Sequence, residues 1–287
     1  MKKKKVEGHL SIWKILLKNK LTFIGLILIA VMTILGLLSS WIVPYDPYTA
    51  DMSTSLLPPS GAHLFGTDNF GRDIFSRMLV GTRTSLWLGL ISVGISAVIG
   101  VLLGGISGYY GGSPGIIIMR FMDALSAFPA LILAICIATV IGRGVGSAII
   151  AVGIVGIPDF ARLMYSQTLS VKARGYIEAA RAIGESKSAI LREHIVPNCL
   201  PALIVRISTG MGTSLLVIAA LSFLGLGIQE PAAEWGMMIS TGRSYIISGE
   251  WWIATFPGLA IMIAALSFNL IGDGLRDILD PRVRTGN

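Results

Sequence analysis

Charge is what this sequence has least of. Only 14% of its 287 residues are Asp, Glu, Lys or Arg, against roughly 25% in a soluble domain. So few charges cannot clothe a water-facing surface around a hydrophobic content of 53%, which excludes an ordinary soluble fold. Cysteine is scarce too. Cys136 lies in an apolar run and Cys199 near the end of a polar loop, which argues against a disulfide or a thiolate metal site. His9, His63 and His194 are scattered singly, so spacing alone builds no zinc or haem site. No Gly-x-x-x-x-Gly-Lys-Ser/Thr phosphate loop occurs, so the chain is not expected to bind ATP. With no paired carboxylate, Ser/His/Asp set or metal cluster at plausible spacing, it is not expected to be an enzyme by itself.

What is present is a series of apolar runs long enough to cross a bilayer, about 20 residues each. Leu21 to Val43 and Leu86 to Tyr109 carry no charge. Ile116 to Ile141 has Arg120 and Asp123 near its start and Pro129 inside it. Ser147 to Tyr165 has Asp159 and Arg162 in its last turns, and Ala202 to Ile228 has Arg206 near its beginning. Trp251 to Ile271 is the sixth. The expected fold is therefore all-α and polytopic, with about six transmembrane helices. The first run is too long for the apolar region of a cleaved signal, and no small-x-small site follows it.

Lysine and arginine set the expected orientation. With the N-terminus inside, eighteen of the 23 basic residues fall on the cytoplasmic side, leaving Arg72, Arg77, Arg83, Arg143 and Arg243 outside. Both termini are then cytoplasmic, as residues 1–20 and 276–287. Residues 44–83 form a long outside loop ahead of a core, 84–275, that holds the other five spans. A second outside loop, about Gln229 to Glu250, is acidic through Glu230, Glu234 and Glu250, and Trp235, Trp251 and Trp252 flank it at the expected headgroup level. The net charge of +7 does not argue for nucleic acid, because the basic residues sit at span ends, where they suit topology and anionic lipid.

The longest inside loop, 166–201, is the one sizeable polar stretch on that face. Tyr176 to Ile183 favours helix, Gly184 suits its end because glycine tolerates positive φ, and Ser186 can cap a second helix. Ile190, Leu191 and Ile195 then make an apolar stripe that Pro197 is expected to stop. Two short helices joined at a glycine corner would lie on the membrane surface.

Glu178-Ala179-Ala180, Gly184 and Ile195-Val196-Pro197 resemble the "EAA" loop of bacterial ABC-importer permeases. Three other segments resemble the dipeptide, oligopeptide and nickel branch of that family, nearest its C-type subunit. They are Phe65-Gly66-Thr67-Asp68-Asn69-Phe70-Gly71-Arg72-Asp73, then Leu221 to Gly227 with Glu230-Pro231 and Trp235-Gly236, and Phe268 to Asp277 continuing to Asp280-Pro281-Arg282. The resemblance implies a type I ABC-importer permease fold in the bacterial inner (cytoplasmic) membrane. It implies a B-type permease partner, two cytoplasmic ABC ATPases that hold the ATP and Mg, and an extracytoplasmic solute-binding protein. By the same resemblance, Glu178, Ala179, Ala180, Arg181, Gly184 and Ser186 form the ATPase-coupling interface, and peptides are the cargo, with nickel or a metal chelate as the alternative. Glu230, Glu234 and Trp235 are the residues expected to meet the binding protein.

Two rivals stand beside this reading. An ion-driven secondary transporter would carry mid-membrane ionisable residues and often an inverted repeat; here the charges fall toward span ends and no internal repeat is evident. A membrane scaffold would need the cytoplasmic loop but no solute path.

Overall fold

Asn19 opens the first helix by accepting the backbone N–H groups of Leu21 and Thr22. The computed structural model describes residues 19–279. Lysines 2 to 18 and the Asp280-Pro281-Arg282 end of the C-terminal motif therefore lie outside the described residues. Helix α1 spans Lys20–Ile42, and a looped lobe follows it as far as Asp73. Asp73 caps α2, Ile74–Tyr110, by accepting the Ser76 N–H at 2.8 Å. Then come α3 (Gly112–Ser126), α4 (Ala130–Ile141) and α5 (Val145–Lys172). A short α6 (Gly175–Ala182) precedes α7 (Lys187–Phe223), α8 (Trp235–Gly242) and α9 (Trp252–Leu279).

Five of these helices are long and apolar enough to cross a membrane, and α3 with α4 makes a sixth if the bent pair counts as one span. The stretch Ile116 to Ile141, expected as one helix, is in fact broken, with its halves bent by 95°. Pro129 explains the break. It has no N–H to donate and disfavours helical geometry at the residue before it, so the chain leaves the helix at Ala127 and restarts at Ala130. Hydropathy averaged over that run conceals the corner. A second difference lies at Pro197, which was expected to stop a helix. The helix runs through it because a wide π turn at Ile190–Ile195 precedes it and leaves Pro197 in the first turn of regular α-helix, where its missing N–H costs little.

Small residues decide how the long helices pack. In lipid, large apolar side chains gain nothing by turning inward, so close backbone approach does the work. Helix α1 shows the inversion plainly. Its buried residues are Thr22, Gly25, Gly36 and Ser39, while Ile24, Ile27, Val31 and Leu37 face outward. Between α2 and α5 a four-residue repeat, Ser96, Gly100, Gly104 and Gly108, forms the seam. A Cβ on Gly100 would stand 2.5 Å from the Phe160 Cβ, and one on Gly108 2.8 Å from the Thr168 Cβ. Ser96 Oγ donates to the Gly153 carbonyl at 2.7 Å across the same seam. A Cβ on Gly94 of the same helix would meet nothing within 4 Å.

Candidate functional site

The two ends of α2 carry the two polar regions of the molecule. At 1.5 Å per residue its 37 residues separate them by about 55 Å.

At the Tyr110 end sits the elbow made by α6 and the start of α7. The sequence Gly175–Ala182 is helical, and its end is a complete Schellman motif: Glu185 N–H donates to the Ala180 carbonyl at 3.1 Å and Gly184 N–H to the Arg181 carbonyl at 3.0 Å. That motif needs a left-handed residue, and Gly184 supplies it at φ +85°. Ser186 then caps α7, accepting the Ala189 N–H at 3.3 Å. The inner face of α6 is fixed by Ile177 and Ala180, which are buried in a cluster with Tyr109, Met164, Val171, Ile190 and Ile195. This cluster joins the elbow to α2, α5 and α7 at once. The outer face carries Glu178, Ala179 and Ala182, and ends in Ile183, whose side chain is 84% exposed. Arg181 leans back, its guanidinium 5.5 Å from the Tyr109 ring centroid. Lys172 Nζ donates to the Tyr109 carbonyl at 2.6 Å, tying the end of α5 to the end of α2.

The six loop residues singled out from the sequence thus divide by position. Glu178, Ala179 and Arg181 are exposed, Ala180 anchors, and Gly184 and Ser186 shape the corner. Ile183 was passed over in the sequence. Spacing alone did not flag it, because Ile177, Ala180 and Ile183 are three apart and read as one stripe; its exposure comes from the helix ending there at Gly184.

At the Ile74 end the motif Phe65 to Asp73 folds into a latch. Asp68 accepts Arg72 Nε at 2.7 Å and the backbone N–H groups of Phe70 and Arg72, with Arg77 Nε at 3.6 Å. Arg72 reaches on to Glu230 Oε1 at 3.3 Å, and Thr241 Oγ1 donates to the same oxygen at 2.8 Å. Arg77 Nη1 donates to the Pro47 carbonyl at 2.8 Å and to that of Pro231 at 3.4 Å. Trp252 Nε1 closes the set on the Thr67 carbonyl at 3.2 Å. Arg72 and Arg77 are both buried. Removing one partner from such a network typically costs about 3–5 kcal/mol, because the other charge stays buried.

This latch changes the picture of the acidic loop. Glu234 and Trp235, expected to face an arriving protein, are 1% and 0% exposed. Glu234 is the N-cap of α8, accepting the N–H groups of Gly236 at 2.9 Å and Met237 at 2.8 Å. Burial raises its carboxyl pKa, and those two N–H donors oppose the rise. Trp235 packs with Leu215, Ala219 and Ala260 rather than at a headgroup boundary. Capping is a tertiary event here: the loop folds α8 back onto α7, where Gly236 lies against Ala219. Glu230 alone of the three keeps some exposure, 27% of its side chain.

Comparison with known proteins agrees with this architecture. The family described as "binding-protein-dependent transport system inner membrane component" matches residues 100–285. The N-terminal transmembrane domain of oligopeptide transport permease C matches residues 11–59. A protein of Escherichia coli K12 named "Probable D,D-dipeptide transport system permease protein DdpC" is 43% identical, covering 98% of this chain and 94% of its own length. The chain belongs to this permease family. Other relatives are a dipeptide permease of Alkalihalophilus pseudofirmus, 42% identical over 95% of this chain and 90% of that one, and a glutathione permease of Pectobacterium atrosepticum, 41% identical over 95% and 91%. The fold also matches a solved inward-facing structure of the MetNI methionine ABC transporter. The TM-score is 0.58 at 20% identity, covering 70% of this chain and 96% of that one.

The permease's remaining family-like segments also find local reasons. Leu221 to Gly227 ends α7 with Gly225 at φ +77°, and Ser222 Oγ accepts the Ile228 N–H at 3.4 Å. Phe268 to Asp277 is the last part of α9, where Ser208 Oγ on α7 donates to the Phe268 carbonyl at 3.1 Å.

Proposed function

We propose that this permease is one of two membrane subunits of an ATP-driven importer for di- or oligopeptides, and that the α6 elbow is the seat of a cytoplasmic ATPase. The observation that carries the second part is the elbow itself: a helix anchored by Ile177 and Ala180 that presents Glu178, Ala179 and a bare Ile183 outward. An exposed isoleucine beside small alanines suits a protein groove better than water. Glu178 adds a charged acceptor for a donor in that groove.

The mechanism follows from the anchoring. ATP and its Mg sit in the partner subunits. Closure of the ATPases presses on α6, and the cluster around Tyr109, Met164 and Ile195 passes the displacement to α2, α5 and α7 together. ATP thereby alters the relative stability of inward-open and outward-open states through contacts that differ between them. The basic-residue bias supports an elbow and termini on the cytoplasmic side, and the family description supports the inner membrane. The latch end then faces the solute-binding protein, and the second permease completes the path. The peptide reading is supported by the relatives, whose names specify a D,D-dipeptide, a dipeptide and glutathione.

Reconstitution with the neighbouring transport subunits tests this directly. ATP-dependent uptake of a labelled dipeptide into proteoliposomes is the expected result. Ile183→Asp and Glu178→Lys are each expected to lower it at least tenfold while membrane insertion is unchanged. Uptake that persists in both variants, with the ATPase still bound, would remove the elbow from the mechanism.

A further inference from the structure

Four charged side chains form two ion pairs along α5, one to α7 and one to α3. Asp159 on α5 pairs with Arg206 Nη2 on α7, and Arg162 Nε on α5 stands 3.5 Å from Asp123 Oδ1 on α3. Asp159 is at the midpoint of the 28-residue α5, about 20 Å from either end at 1.5 Å per residue. The next residue, Phe160, packs against Gly100 of α2. None of the four is shut away: their side chains are 54% (Asp159), 29% (Arg206), 47% (Arg162) and 51% (Asp123) exposed. Arg206 Nε, by contrast, is buried and has no hydrogen-bond acceptor. A cavity of about 90 Å³ adjoins the first pair, lined by Ser96, Asp159, Phe160, Arg206, Gly210 and Thr213.

Half-exposed charges on helices that cross a membrane are not compatible with lipid, which strongly disfavours ions and admits them only where protein or water receives them. A dry protein seam is equally unsuitable, because it would strip water from four charges whose partners satisfy only part of their hydrogen-bonding capacity. Water is the remaining surrounding. We infer that Asp123, Asp159, Arg162 and Arg206 line the water-filled solute path of this permease and guide a zwitterionic solute, the free ammonium and carboxylate termini of a short peptide, by exchange with the two ion pairs. The inference rests on the peptide reading above. Alternating signs suit it: an ammonium can borrow Asp159 or Asp123, a carboxylate Arg206 or Arg162, and each charge has its partner to return to once the solute moves on. The wall is sticky to neither sign alone, as a path requires.

Sequence alone gave these residues as span-end charges. Asp159 and Arg206 nevertheless fall mid-helix, because α5 runs on to Lys172 and α7 begins at Lys187, one or more turns beyond the apolar stretches.

The test places a probe beside the cluster without disturbing it. Thr213→Cys, in a chain with Cys136→Ser and Cys199→Ala, is assembled with the other transport subunits in inverted membrane vesicles. Cationic and anionic methanethiosulfonate reagents of matched size are then applied. Both are expected to label Thr213→Cys, and millimolar dipeptide to slow both. Adding Asp159→Asn should cut the cationic rate several-fold and raise the anionic one, and Arg206→Gln should do the reverse. A Thr213→Cys side chain that neither reagent reaches, with or without nucleotide, while an engineered cysteine at the exposed position Arg192 reacts, would mean a sealed subunit seam and overturn the proposal. Labelling whose rates ignore both charge changes would overturn the guiding role. If the native assembly takes up no peptide yet the labelling pattern holds, the peptide reading fails and the water-filled path survives.

Discussion

Gly184 and Ser186 are two residues whose roles follow from local chemistry alone. A residue that must sit at φ +85° is comfortable only as glycine, and a serine three residues before a free N–H is a cap wherever the chain turns. Such positions were legible without any tertiary information. Gly184→Ala has room for its methyl, since nothing lies within 4 Å, so its cost is conformational, about 1–2 kcal/mol. Hydrogen exchange should therefore quicken for the amides of Gly184 and Glu185, with α2 and α5 unchanged. Glu234 was not legible in the same way. Its acidity suggested a surface, but its burial depends on α8 folding back onto α7. Because burial raises its folded-state pKa above the unfolded one, its contribution is fully present below the ordinary glutamate value and is lost as pH rises through the raised one. Glu234→Gln should flatten that part of the pH dependence of the melting temperature in detergent. An unchanged profile would mean that the carboxyl does not titrate in this range.

Among the elements, α1 and α2 were the easiest to expect, and α2 was hard to bound. Uncharged runs announce a crossing helix, but hydropathy says nothing about where a helix ends once it leaves the lipid. Helix α2 starts at Ile74 because Asp73 caps it locally and Arg77 is swallowed by the latch, a contact with a distant loop. Pro129 and Pro197 show the same limit from the other side. One breaks its helix and the other is absorbed, and the difference lies in the π turn ahead of Pro197. The seam between α2 and α5 leads to a sharp expectation. A Gly104→Leu side chain would drive into the Ala161 backbone, so the two helices must part. Small-to-large changes at packed positions typically cost about 1–3 kcal/mol, and here backbone stands in the way. The variant should lose detergent-resistant assembly, whereas Gly94→Leu, on open surface, should retain it.

At the scale of the whole molecule the permease is a lever with two specialised ends. The latch at one end locks the loop 44–73, the start of α2 and the segment 229–235 into one buried polar unit. The elbow at the other end is anchored inside and bare outside. The helical class, the count of crossings and the elbow could be read from composition, run lengths and one motif. The latch and the ion pairs along α5 could not, because they join residues far apart in sequence, such as Arg72 with Glu230 and Asp159 with Arg206. The central claim is that the elbow holds an ATPase. The measurement that tests it most directly is stoichiometric co-purification of the tagged native chain, gently extracted, beside Ile183→Asp. A second six-span permease and ATPase subunits should accompany the native chain, and the permease partner without the ATPases should accompany the variant. Recovery of the native chain alone or as a homodimer, under several mild conditions, would contradict it.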